Sequence, residues 1–362
     1  MFRIAVLPGD GIGPEVMVSA LKVLKAVMAK SDLGFEIMEA PIGGAAFDIY
    51  ESHFPSSTKE VCEQADAILL GSIGGPPEER HLPKWDRCEA NALLGLRKAF
   101  NFYANIRPAR VYPSLKYACP LKDEVIGSGV DLLIVRELLG DLYFGKHETK
   151  DTEHGMVAVD EAVYDESQIR AICQIAFAAA AKRSGRLASI DKANVLDTSK
   201  LWRKIASEEA QKFPDVTLTH LLVDNAAMQL VIKPSQFDVL LCPNMFGDIL
   251  SDLASVLPGS LGMVPSASFN YQGKGLYEPA GGSAPDIAGK GVANPCAQIL
   301  CVAMMLRHSF DLENEARRIE VGLEHLLEKG YVTADLCRNG KALGTDEFTE
   351  KLLAEIEKIE IA

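Results

Sequence analysis

The sequence lacks any pair of cysteines two residues apart. Its eight cysteines, Cys62, Cys88, Cys119, Cys173, Cys242, Cys296, Cys301 and Cys337, are dispersed, which excludes a zinc knuckle and a thioredoxin-type redox motif. Most sit in apolar runs such as Leu240-Leu241-Cys242, as buried free thiols of a reducing compartment do. No long apolar run is present either. The longest near-apolar stretch, Ala171 to Ala181, contains Gln174 and lies between Arg170 and Lys182. A membrane span needs roughly 20 apolar residues. The N-terminus reaches Pro8-Gly9-Asp10 too early for a signal peptide, so a cytoplasmic location is expected. Basic residues are in deficit, 37 Lys+Arg against 50 Asp+Glu, for a net charge of −13. That balance argues against nucleic acid as the main partner. A small anionic substrate needs only a local cluster of arginines. There is no G-x-S-x-G elbow and no H-E-x-x-H, and the seven histidines lack ligand spacing. A serine hydrolase or zinc enzyme is therefore disfavoured. Internal repeats, low-complexity tracts and Ser/Gly/Pro linkers are also missing, so any two domains are expected to interleave.

What is present is an ordinary globular composition, 48% hydrophobic and 24% charged over 362 residues. That length suits about two domains. Phe2 to Leu7 reads as a buried strand, and so do Ala67–Leu70, Leu132–Val135, Leu218–Val223 and Phe237–Cys242. Pro14 to Met28 reads as a helix with Val16, Ala20, Val23, Leu24 and Val27 on one stripe. Further helical patterns cover about 166–183, 200–212, 294–307, 314–328 and 346–359. Alternation of this kind predicts an α/β architecture with a largely parallel sheet. Lys146 to His154 is almost entirely polar and Met156 to Tyr164 is strand-like. This segment is either a surface loop or a β-arm that pairs with a second subunit.

Several motifs bear on chemistry. Gly9-Asp10-Gly11-Ile12-Gly13-Pro14 follows a strand and opens a helix. A Rossmann fingerprint needs G-x-G-x-x-G, and here the spacing is G-x-G-x-G. The turn is either purely structural or brings backbone close to some ligand. Gly282-Ser283-Ala284-Pro285-Asp286-Ile287-Ala288-Gly289-Lys290-Gly291 resembles a P-loop only superficially, because no hydroxyl follows Lys290. If it is a cofactor loop, Asp286 would accept from free ribose hydroxyls and repel a 2′-phosphate, which favours NAD over NADP. Asp248 and Asp252 lie at i and i+4, and Asp224 follows a predicted strand. Such carboxylates are either a solvated face or hard ligands for Mg²⁺ or Mn²⁺. Arg97, Arg107 and Arg136 are either surface ion pairs or, converging, readers of a di- or tricarboxylate. Tyr143 and Lys192 are possible proton-transfer groups.

Taken together, these motifs resemble the isocitrate/isopropylmalate dehydrogenase family along essentially the whole chain. The resemblance rests on Leu7-Pro8-Gly9-Asp10-Gly11-Ile12-Gly13-Pro14-Glu15, Asn105-Ile106-Arg107-Pro108, Asp191-Lys192-Ala193-Asn194, Asn244-Met245-Phe246-Gly247-Asp248-Ile249-Leu250-Ser251-Asp252, Glu278-Pro279 and the 282–290 segment, in family order. It implies a two-domain, non-Rossmann fold with parallel or mixed sheets. A discontinuous cofactor-binding domain, 1–101 plus 257–362, would surround a substrate and dimerisation domain at 102–256, with its β-arm near 146–164. It implies a homodimer with shared active sites and no nucleic-acid or membrane partner. Arg97, Arg107 and Arg136 would hold malate carboxylates. Asp248 and Asp252, with Asp224 of the other subunit, would hold Mg²⁺ or Mn²⁺. Lys192 of the other subunit would be the base and Tyr143 the acid. NAD would lie along 282–294, including Val292, Ala293 and Asn294, with a second wall from Gly75, Pro76 and Pro77 to Glu89. Some members carry His where Gly281 stands, so adenine would be held by Asn294 and contacts around Ile287. Leu93 and Leu94, one helical turn before Arg97, would form an apolar pocket for an isopropyl group, as in the leucine-biosynthetic branch. A third substrate carboxylate buried there would be costly. D-malate and tartrate dehydrogenases are the alternative within the family.

Overall fold

The computed structural model describes residues 1–31, 33–127 and 129–360; the last two residues of the predicted 257–362 segment lie outside them. In chain order the first elements are β1 (Phe2–Gly9), α1 (Gly13–Met28), β2 (Phe35–Glu39), α2 (Gly44–Tyr50), α3 (Ser56–Gln64), β3 (Ala67–Ser72), α4 (Gly95–Ala99) and β4 (Ala104–Val111). There follow α5 (Asp123–Ile126), β5 (Val130–Glu137), β6 (His147–Thr152), β7 (Gly155–Asp160), α6 (Glu166–Ala181), β8 (Arg186–Asp191), α7 (Asp197–Ala210) and β9 (Thr217–Leu222). The last are α8 (Val223–Ile232), β10 (Val239–Cys242), α9 (Asn244–Ser255), β11 (Pro265–Phe269), β12 (Gly275–Pro279), α10 (Cys296–Phe310), α11 (Glu313–Glu328) and α12 (Thr345–Ile356).

The chain divides into two compact units: residues 1–101, 112–119 and 258–362 form one, and residues 102–111 and 120–257 the other. In the first unit the strands run β2-β1-β3-β12-β11. β1 pairs in parallel with β2 and β3, β12 in parallel with β3, and β11 is antiparallel to β12. All six residues of β3 are buried, as a strand covered on both faces requires. Helix α10 is buried along almost its whole length. It is apolar on all sides, so it reads as a core helix rather than a surface one. Segment 112–119, placed by the sequence reading in the second domain, belongs to the first unit. Leu115 is buried there, the Tyr117 hydroxyl donates to the Leu336 carbonyl at 3.1 Å, and Arg338 lies over the Tyr117 ring.

In the second unit the order is β4-β5-β10-β8-β9. β4 is antiparallel to β5 and the remaining pairs are parallel. The architecture is thus α/β with mixed sheets. The core of this unit gathers Trp202, Phe177, Ile169, Ile172 and Ile205 of α6 and α7 against Val135, Leu187, Val239 and Leu241. Helix α6 starts on a capping box, Asp165 with Gln168, which satisfies two otherwise orphan N–H groups. The polar segment near 146–164 is an antiparallel hairpin of β6 and β7, and every residue of β7 is exposed. Its polar first strand was unreadable by periodicity because neither face is buried. The sequence reading ended a strand on Val223, where helix α8 begins. Its outward face, Met228, Val231 and Ile232, is exposed, so burial within the chain does not explain its apolar pattern. Among the described residues no helix is long and apolar enough to cross a membrane.

Candidate active site

The second unit assembles most of the predicted chemistry on strand ends and one helix. Asn105 and Arg107 lie on β4, Arg136 near the end of β5, and Asp248 and Asp252 one turn apart on α9. Arg107 donates through Nη1 to Asp252 Oδ1 and to Ser251 Oγ, both at 2.9 Å, and through Nε to Asn105 Oδ1 at 3.1 Å. Arg136 Nη1 pairs with Asp248 Oδ1, while Nε and Nη2 donate to Asn244 Oδ1 at 3.1 and 2.8 Å. The Tyr143 hydroxyl donates to Asp248 Oδ2 at 2.8 Å, and Arg136 lies 5.7 Å from the Tyr143 ring centre. Burial and the Asp248 carboxylate push the Tyr143 phenol up to about 12. The phenol therefore keeps its proton at neutral pH, the form a general acid requires. Gly247 faces Arg136: a Cβ there would lie 2.7 Å from its Cγ, so glycine lets the helix meet the strand.

The amino end of α9 is held by groups the sequence reading missed. Asn244 N donates to the Tyr164 hydroxyl at 2.8 Å, and Met245 N to Asp141 Oδ2 at 3.1 Å. Tyr164 also bonds the carboxylate of buried Glu137, which accepts from Leu139 N at 2.7 Å and Gly140 N at 2.8 Å. Burial outweighs those donors and pushes the Glu137 carboxyl up to about 7. Asp141 adopts φ +68°, a left-handed conformation that is uncommon for a non-glycine residue and clusters near functional sites.

Lys192 and Asp224 form their own pair. Lys192 Nζ donates to Asp224 Oδ2 at 2.8 Å, and that ammonium lowers the Asp224 carboxyl. Lys192 directly follows β8, as predicted; Asp224 lies in the first turn of α8 rather than at a strand end. Among the described residues no three His, Cys, Asp or Glu side chains are grouped to hold a metal within one chain. The donor chemistry on α9 nevertheless fits a hard cation. Two carboxylates share one face, and Asp252 is 74% exposed, which leaves oxygen lone pairs open to a ligand.

In the first unit Arg97 is buried and its Nη2 pairs with Glu278 Oε1. Leu93 and Leu94 belong to a π-helical turn, Ala90–Leu94, directly before α4. Such turns are frequent at functional sites. Leu93 is half-buried and Leu94 exposed. Of the second predicted cofactor wall, Gly75 packs on Trp85, where a Cβ would lie 2.2 Å from the ring. Pro76 precedes a short 3₁₀ turn that opens at Pro77, and Glu89 precedes the π turn.

A cavity of about 450 Å³ in this unit is lined by Gly282, Ala284, Ile287, Val292 and Asn294 of the glycine-rich segment, with Ile12, Leu261 and Asp335. Ser283 and Ala293 are buried, Pro285 and Ala288 half-buried, and Asp286, Gly289, Lys290 and Gly291 exposed. Ala284 takes φ +39°. Asn294 orders the start of α10 by accepting from Cys296 N at 3.0 Å, and donates to Asp335 at 3.0 Å. Asp335 and Leu261 carried no sequence signal, since they reach the cavity from distant turns. The mainly apolar wall with a few polar groups has the makeup of a ligand pocket.

The N-terminal glycines prove to be packing residues. A Cβ on Gly9 would lie 2.0 Å from the Ser72 carbonyl oxygen, and one on Gly11 2.0 Å from that of Ser283. The close approach of these glycines is to the protein's own strands and loops, while Ile12 of the same turn lines the cavity. Asp10 is buried and accepts from Gly44 N, Ala45 N and Gly74 N at 2.9–3.0 Å. Burial raises its carboxyl against the opposing effect of those donors.

Comparison with known proteins agrees with this geometry. The family described as isocitrate/isopropylmalate dehydrogenase matches residues 3–352. A protein of Thermotoga maritima named 3-isopropylmalate dehydrogenase is 53% identical over 358 residues, covering 99% of each chain. One of the same name from Sodalis glossinidius is 52% identical over 361 residues, covering 99% of this chain and 98% of its own. The crystal structure of isocitrate dehydrogenase from Methylococcus capsulatus superposes with a TM-score of 0.85 at 33% identity, covering 99% of this chain and all of that one. On this match over nearly its full length, the chain belongs to the isocitrate/isopropylmalate dehydrogenase family and is an oxidoreductase.

Proposed function

We propose that the protein catalyses the NAD-dependent oxidative decarboxylation of (2R,3S)-3-isopropylmalate to 4-methyl-2-oxopentanoate and CO₂ in leucine biosynthesis. The observation that carries this reading is the cluster of Arg107, Arg136, Tyr143, Asp248 and Asp252 on one strand-end and helix face. The names of relatives identical at 52–53% of positions support the choice of substrate.

Arg107 and Arg136 present planar forks to the malate carboxylates, and Arg97 is assigned the same role. Leu93 and Leu94 receive the isopropyl group by apolar contact. Asp248 and Asp252, with Asp224 of a second copy, would hold Mg²⁺ or Mn²⁺. Residues 282–294 and 75–89 would hold NAD, with Asp286 toward the ribose hydroxyls. When bound, the ion supplies Lewis acidity and NAD a hydride acceptor. Lys192 of the second copy accepts the C2 hydroxyl proton, through water, once Asp224 is engaged elsewhere. Tyr143 then protonates the carbon that CO₂ has left. In this reading the first unit is the cofactor domain and the second the substrate and dimerisation domain. Exposed apolar residues on α8 and α9, Met228, Val231, Ile232 and Ile249, with Val256 just after α9, and the exposed β6–β7 arm support a dimer.

The test is NADH formation with 3-isopropylmalate, D-malate, tartrate and isocitrate, each with and without Mg²⁺ after EDTA treatment. Metal-dependent turnover led by isopropylmalate is expected. A lead for D-malate or tartrate would overturn the substrate assignment, and equal turnover without metal would overturn the role of the carboxylates.

A further inference from the structure

The cofactor segment between Ser283 and Ala293 contains no helix or strand. Gly289 and Gly291 sit at φ +71° and +64°, with nothing within 4 Å of where a side chain would begin. The exposed part of the stretch, 289–292, has little to hold its shape by packing. Its backbone groups must then be fixed by hydrogen bonds if it is to present one surface to a ligand.

Two are internal turn bonds, Ile287 N to the Ala284 carbonyl at 3.1 Å and Lys290 N to the Ile287 carbonyl at 3.2 Å; others come from the N-terminal motif. At one end, Ile12 N donates to the Ser283 carbonyl at 2.8 Å. At the other, a single carboxylate spans the loop. Glu15, in the first turn of α1, accepts from Gly289 N through Oε2 at 3.0 Å and from Ala293 N through Oε1 at 3.2 Å. Thr345 Oγ1 lies 3.1 Å from the same Oε1 and 2.7 Å from the Ala293 carbonyl. Its one proton serves either acceptor. Thr345 N also donates to the Gly291 carbonyl at 2.9 Å. Glu15 itself does not line the cavity, whereas Ile287, Val292 and Asn294, on either side of its two amide contacts, do.

We infer that Glu15 is a positioning residue for the nicotinamide-dinucleotide site, fixing the 287–294 wall through the amides of Gly289 and Ala293. The inference rests on the assignment of this loop to the cofactor made above. It also gives the signature Gly9-Asp10-Gly11-Ile12-Gly13-Pro14-Glu15 a task that its defective dinucleotide spacing left open. The turn and the helix it opens fasten the loop assigned to the cofactor.

Two variants test this in the full chain, Glu15→Ala and Glu15→Gln. Ala removes both acceptors. Gln keeps one acceptor and turns the other into a donor facing an N–H. Each charge-assisted bond is worth enough that Glu15→Ala should weaken binding about tenfold or more, and Glu15→Gln less. The readouts are NADH affinity by fluorescence titration without substrate, the KM for NAD, and amide hydrogen exchange at 289 and 293. The expected result is weaker NADH binding and a raised KM for NAD, with kcat at saturating NAD and the KM for the hydroxy acid within twofold. Exchange at both amides should accelerate. Faster exchange with unchanged NADH affinity would overturn the positioning role. Failure of the wild-type chain to bind NADH would overturn the loop assignment and this inference with it. If Glu15→Ala does not fold, the same comparison on the isosteric Glu15→Gln decides, and wild-type affinity in that variant would refute the inference.

Discussion

Removing the Tyr164 hydroxyl should cost stability in a pH-dependent way. The hydroxyl bridges two buried groups: it accepts from Asn244 N at 2.8 Å and bonds the Glu137 carboxylate, which is 1% exposed. The Glu137 carboxyl rises from 4.5 to about 7 in the fold. The folded state therefore binds the proton more tightly than the unfolded chain. Stability contributed by this group is greatest below pH 4.5 and declines as pH rises to about 7. At about 1.4 kcal/mol per pH unit, the decline totals about 3 kcal/mol. Tyr164→Phe leaves the Asn244 N–H unpaired at the start of α9, at a cost of about 1–3 kcal/mol at any pH. It also strips the ionised carboxylate of one of its three donors, which raises its pKa further and adds to the loss only where Glu137 is charged. The assay is urea denaturation of wild type and Tyr164→Phe at pH 5.5 and pH 8. Comparing the two proteins at each pH cancels the other carboxylates. The variant should be less stable by about 2 kcal/mol at the lower pH and by clearly more at the higher one. An equal difference at both values, or one below about 0.5 kcal/mol, would refute the Glu137–Tyr164 linkage.

Further outcomes follow from the proposed site. Lys192→Met should abolish NADH formation, and Tyr143→Phe should slow turnover at a later step, which single-turnover kinetics with separate CO₂ detection would distinguish; wild-type turnover in both would defeat the acid and base assignment. Asp248→Asn and Asp252→Asn should each raise the Mg²⁺ concentration for half-maximal activity by about tenfold or more, read by metal titration after EDTA. Mixing Lys192→Met with Asp248→Asn protein, at a Mg²⁺ concentration too low for the Asp248→Asn protein to turn over by itself, should restore activity if sites are shared between subunits; no recovery after subunit exchange would show that each chain works alone. Isocitrate should be a poorer substrate than isopropylmalate by at least about a hundredfold in kcat/KM, and near-equal values would overturn the apolar role of Leu93 and Leu94.

The physical reach of a sequence differs along this chain. Strand β3 and helices α1 and α10 were legible because their apolar patterns are satisfied by burial within their own unit. Asp248 and Asp252 were legible as a pair because helical spacing alone puts i and i+4 on one face. Glycine spacing was enough to reject a dinucleotide fingerprint, because that motif is a matter of local backbone geometry. The resemblance of long ordered motifs then pointed to the family.

Other features depended on groups far apart in the chain. The sequence alone offered Asp248 and Asp252 either as a solvated face or as ligands. The fold sets Arg136 and Tyr143 against one and Arg107 against the other, because β4, β5 and α9 meet at their ends. Glu137 and Tyr164 had no motif; their roles come from burial beside the start of α9. Asp224 turned out to begin a helix whose outward apolar face burial within the chain does not explain, and segment 112–119 joined the unit whose core accepts Leu115. Sequence spacing decides which neighbours share a face, since that geometry is local. Which carboxylate meets which arginine, and which loop Glu15 holds across more than 270 residues of chain, is decided only when distant segments pack and each buried polar group must find its partner.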